Sequence, residues 1–136
     1  MSGPDRTTDR HGVRTVECAP DGPPLRSDRD VTDLIGHALS GGAELVAISA
    51  QRLGAGFFTL RTGVAGQVVQ KFVNYRLRLA IVGDISADLE RSAALRDYVS
   101  ESNRGHHVWF VPDLAALDAR LARAAHDPGG YGPAAR

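Results

Sequence analysis

The chain has 136 residues, 43% of them hydrophobic, with Lys plus Arg and Asp plus Glu both numbering 16, so the formal net charge is zero. That length holds one domain around a single core and needs no covalent staple. Balanced charge sets up no long-range field toward nucleic acid or an anionic membrane, the lone Cys18 forms no internal disulfide, and no apolar run approaches membrane-spanning length; the reading is of a cytoplasmic protein that takes neither partner.

Residues 1–11 and 127–136 are polar, rich in Pro and Gly or without periodicity, and are expected to be disordered tails around a domain at 12–126. Residues 13–18, VRTVEC, alternate apolar with polar. The turn chemistry of Pro20, Asp21 and Gly22 follows, which predicts a hairpin with a short strand near 24–26. Ser27 and Asp30 form an S-x-x-D start signal for a helix through Val31, Leu34, Ile35 and Ala38, and Gly41-Gly42 supplies its stop. Residues 45–50, LVAISA, read as a strand buried on both faces.

The apolar set Leu60, Val64, Ala65, Val68, Val69, Phe72 and Val73 then predicts an amphipathic helix over about 58–75, and Leu79–Val82 a second buried strand. Ser92 caps a further helix that exits at Asn103-Arg104-Gly105, Val108–Val111 forms the last strand, and Asp113 caps the final helix. Asp88 and Glu90 fall in a loop. This order predicts an α/β fold with a mostly parallel sheet of four to five strands, an N-terminal hairpin and about four helices.

FFTLRTGVAGQVVQKFVNYRLRLAIVGD at 57–84, with ESNRG at 101–105 and VWFV at 108–111, resembles a small bacterial α/β family of unknown function. The element order also resembles that of STAS domains, the anti-sigma-factor antagonists and their relatives, which implies a protein-interaction module. In the antagonists a phosphorylatable Ser or Thr opens the second helix within a D-S-S/T-G-like motif. This chain carries SAQRLGAGFFTL at the matching place, without that motif, and Thr59 and Thr62 are the hydroxyls placed to substitute for it.

In a parallel sheet, ligands bind beyond the C-terminal strand ends. Three segments are expected there: Gln51–Phe58, Asp84–Arg91 and Pro112-Asp113. Arg52, Gly54, Arg61, Thr62 and Asp84 are the candidates for holding a small molecule or anion, with Asp84 able to pair with Arg52 or Arg61. Gly54-Ala55-Gly56 lacks the third glycine of a dinucleotide fingerprint and the lysine of a P-loop, and eases a tight turn. No second acid, positioned histidine or nucleophile accompanies Asp84, so no catalytic set is assigned. His106 and His107, as neighbours on a strand, point to opposite faces and do not chelate together; no metal and no cofactor is expected. Cys18, Trp109 and Phe110 read as core.

A solvated helix face normally carries Glu, Lys and Arg. Gly63, Gly66, Gln67, Gln70 and Asn74 instead form a stripe nearly free of charge, suited either to contact with a protein partner or a second copy, or to capping loops of the same chain. Lys71, the only lysine beside fifteen arginines, is expected to pair with Glu101 at the lower rim of the sheet, where Arg104 could also supply the cation that Glu101 needs near a helix C-terminus. A regulatory or interaction module comes first among the functions this supports, a small-molecule or anion sensor second, and an enzyme third.

Overall fold

The computed structural model describes residues 5–18, 22–25, 27–54 and 56–125. Five strands lie in the order of the chain: β1 (Asp5–Arg10), β2 (Val13–Cys18), β3 (Leu45–Ser49), β4 (Arg78–Val82) and β5 (Val108–Val111). β1 runs antiparallel to β2, and β2 through β5 are parallel. The helices are α1 (Asp28–Ser40), α2 (Val64–Asn74), α3 (Ser86–Arg91), α4 (Ala93–Arg104) and α5 (Leu114–Ala125). The α/β architecture therefore stands as expected, with one short helix more.

Strand order explains how the layers form. Each right-handed crossover from β2 to β5 moves one strand further in the same direction, which sends α1, α2 and α4 to one face. Val16, Val46, Ile48, Leu79, Ile81 and Phe110 meet them there. Alternate residues Val13, Leu45, Ala47, Ala80, Trp109 and Val111 turn to the other face, where Leu117 and Leu121 of α5 cover them.

Local signals set most helix ends. Ser27 Oγ accepts from Asp30 N at 3.1 Å while Asp30 Oδ2 accepts from Ser27 N at 3.2 Å, completing a capping box. Ser92 Oγ accepts from Leu95 N at 3.0 Å, and Asp113 Oδ1 from Ala116 N at 2.8 Å. α2 ends without glycine: Arg76 takes φ 57°, its N–H reaching Val73 O at 3.0 Å, and Leu77 N reaches Phe72 O at 3.0 Å, the paired bonds of a Schellman motif.

Three expectations need correction. The antiparallel partner of β2 is β1, joined through His11 (φ 52°) and Gly12 (φ 84°), a turn whose two left-handed residues match the twist of a hairpin. Asp5–Arg10 is thus a strand where a tail was expected, and residues 23–25 form no strand; Leu25 N instead donates to Arg52 O at 2.8 Å. The tail reading of 1–4 and 127–136 lies outside the described residues. Second, the long helix begins at Val64, after a 3₁₀ turn at Leu60–Thr62, because Gly63 at φ 80° breaks the helical path. Third, Asp88 and Glu90 lie on α3.

Candidate functional site

α2 is the middle of the three crossovers, held by buried Ala65, Val68 and Phe72. That leaves its opposite side to solvent. Gly63, Gly66, Gln67, Gln70 and Asn74 are all exposed, beside a shallow depression of about 620 Å³ that Asp28, Lys71 and Tyr75 also line. Val64 and Tyr75, at the two ends, are 37% and 49% exposed. Among the described residues the amides make one side-chain bond, Gln70 Nε2 to Asn74 Oδ1 at 2.9 Å, and cap no loop. A Cβ at Gly66 would meet nothing within 4 Å.

Lys71 is the cation of this surface, and its partner is not Glu101. Its Nζ lies 2.9 Å from Asp28 and donates to Thr32 Oγ1 at 2.9 Å, both on α1, whereas Glu101 pairs with Arg104 one turn along α4 at 3.0 Å. A lysine side chain leans toward the N-terminus of its own helix, which brings Lys71 up to the acidic first turn of α1. The depression thereby keeps no uncompensated charge.

The C-terminal edge of the sheet holds two adjoining clefts. One of about 540 Å³ is lined by Gln51, Gly54, Phe58, Gly83, Asp84 and Asp88; the other, of about 390 Å³, by Phe58, Thr59, Arg61, Asp88, Arg91 and Ser92 among others. Gly54, Arg61 and Asp84 do come to this edge. Arg52 does not: it is 4% exposed, its Nε donates to Pro23 O at 2.8 Å, and its guanidinium packs against Gly22. Thr62 is engaged on both sides, its Oγ1 donating toward Gly56 O (2.7 Å) and Thr59 O (2.9 Å) and accepting from Val64 N at 3.2 Å, so it starts α2 rather than facing a ligand.

The remaining polar groups at the edge mostly serve their own loops. Asp84 Oδ1 accepts from Ser86 N at 2.9 Å, and hydrogen bonds from Ser86 hold its carboxyl below the usual carboxylate range; it pairs with neither Arg52 nor Arg61. Asp88 pairs with Arg91 at 2.8 Å. Arg61 is exposed and has no ionic partner among the described residues. Topology also disfavours a crevice here. The connections leaving β3 and β4 turn to the same face, and the exits nearly touch, since a side chain at Gly83 would come within 3.0 Å of Ala50 Cβ. The segments leaving β4 and β5 turn to opposite faces, but Pro112 and Asp113, at the exit of β5, line neither cleft.

Trp109 is 3% exposed and belongs to the core, with its Nε1 on Gly105 O at 2.8 Å and the guanidinium carbons of Arg78 and Arg120 at 4.7 and 4.4 Å from its ring. Cys18 is buried too, and no group of three His, Cys, Asp or Glu able to hold a metal occurs among the described residues. No described helix is long and apolar enough to cross a membrane.

The family model for a domain of unknown function, DUF4180, matches residues 10–121. The chain belongs to the DUF4180 family. The match runs from the last residue of β1 to Leu121 of α5, so it takes in every strand-helix unit and both surfaces just described. No curated protein and no solved structure matches the chain.

Proposed function

We propose that this DUF4180 domain is a non-enzymatic, cytoplasmic regulatory or interaction module of STAS-like type, which self-associates through the outer face of α2. The order of strands and helices supports the STAS-like reading. The observation that carries the proposal is the state of the stripe: Gly63, Gly66, Gln67, Gln70 and Asn74 are exposed, and Lys71 beside them is neutralised by Asp28. Small residues let two backbones approach, and amides donate and accept across a seam without the cost of desolvating charge. A helix face of this kind is complementary to itself and favours a two-fold pair. Light scattering of the wild type through the micromolar range tests it: a dimer is expected, and a monomer at every concentration contradicts self-association.

A second reading, a small-molecule or anion sensor at the C-terminal edge, draws on one observation, that Arg61, lining the smaller cleft, has no ionic partner among the described residues. Thermal-shift measurements with inorganic phosphate and sulfate test it. A rise in melting temperature that Arg61→Ala abolishes supports the sensor; no rise counts against it.

A further inference from the structure

The two edges of the sheet are closed in different ways. β1, DRTTDR, carries charged residues at both ends around two threonines, and charged residues discourage the addition of another strand. β5, VWFV, has no charge and no proline, and such a strand at an edge invites pairing. Its parity is fixed by β4: Leu79 N donates to His107 O at 2.9 Å and Gly83 N to Val111 O at 2.9 Å, so the peptide groups of Val108 and Phe110 point outward.

Asn103, near the end of α4, meets that edge as a strand would. Its Oδ1 accepts from Phe110 N at 2.7 Å, and its Nδ2 donates to Phe110 O at 3.2 Å. One amide side chain thus satisfies both outward groups of one residue. The position is braced from the opposite layer, because Arg120 of α5 donates to Asn103 O at 2.7 Å while stacking on Trp109. α4 and α5 lie on opposite faces of the sheet, so this contact joins the two layers beside β5.

We propose that Asn103 is an edge lock, which keeps β5 from accepting a further strand, and that the strand it excludes is β5 of a second copy. Antiparallel pairing about a two-fold axis at Trp109 would set Val108 opposite the partner's Phe110 and satisfy the same outward groups in both chains. This contact is separate from the α2 face and does not depend on it.

Amide exchange of the wild type gives the first test, with no substitution needed. Phe110 should exchange about tenfold more slowly than Val108, whose outward N–H has no partner among the described residues, as one added hydrogen bond implies. Asn103→Ala, which suits a helix, should speed exchange at Phe110 and raise the particle mass at least twofold over the wild type, since a second two-fold contact per chain closes or propagates the assembly; Asn103→Gln, retaining the amide, should keep the wild-type mass. Equal exchange at Phe110 and Val108 in the wild type overturns the lock. An Asn103→Ala protein of wild-type mass overturns the pairing, whether or not its Phe110 exchanges faster.

Discussion

Arg10, the last residue of β1, reaches Asp118 of α5, with Nη1 2.6 Å from Oδ1, while its Nε bonds Glu17 on the neighbouring strand. One guanidinium therefore ties the first strand to the last helix over the face that α5 covers. The three groups differ in exposure: the side chains of Arg10 and Glu17 are 18% and 12% exposed, and that of Asp118 is 40%. Removing Asp118 loses a well-solvated pair worth under about 1 kcal/mol. Arg10→Ala should cost more, about 1–3 kcal/mol, because it strands a nearly buried Glu17 carboxylate. Denaturant unfolding of the two variants gives the order directly.

Arg52 is predicted to be structural. Its side chain holds the 22–25 segment through Pro23 O, and a Cβ on Gly22 would lie 2.7 Å from its Cζ. Arg52→Ala should destabilise by about 1–3 kcal/mol, and Arg52→Lys should not restore it, since an ammonium lacks the planar fork. Neither substitution should change ligand-induced thermal shifts, which Arg61→Ala should.

Arg76 sits at φ 57° in the left-handed position of the Schellman motif, where glycine avoids the steric cost of a Cβ. Arg76→Gly should raise stability by about 0.5–1 kcal/mol, measured as a higher thermal midpoint with an unchanged circular dichroism spectrum.

The carboxyl of Asp84, held by Ser86, titrates below its ordinary value. A folded pKa lower than the unfolded one means its contribution is complete above the ordinary carboxylate range and lost as pH falls through the lowered value. NMR titration of Asp84 should show the low midpoint, returning toward normal in Ser86→Pro, which removes both the hydroxyl and the N–H donor.

Much of the fold was legible because its signals are local. Ser27 with Asp30, Ser92 and Asp113 each name a helix start within four residues, and LVAIS, RLAIV and VWFV announce strands by composition. β1 was missed because DRTTDR, on an edge, has no apolar alternation; the His11-Gly12 turn was its one signal. Periodicity places the start of α2 too early because Leu60 keeps helical phase with Val64, although Thr62-Gly63 between them marks a cap and a break. Lys71 with Asp28, and Asn103 with Phe110, join different elements, and nothing near either residue in the chain announces its partner. The outward stripe on α2 was readable from periodicity, but its exposure was not.

The association of chains through α2 is tested most directly by Gly66→Gln combined with Gln70→Glu. Both positions are exposed, and a side chain at Gly66 meets open space, so the monomer should keep its thermal midpoint or gain slightly as glycine leaves the helix. Sedimentation of wild type and variant at equal micromolar concentration should give a dimer and a monomer, respectively. A variant that sediments with the mass of a dimeric wild type, or a wild type that is itself monomeric, contradicts the account.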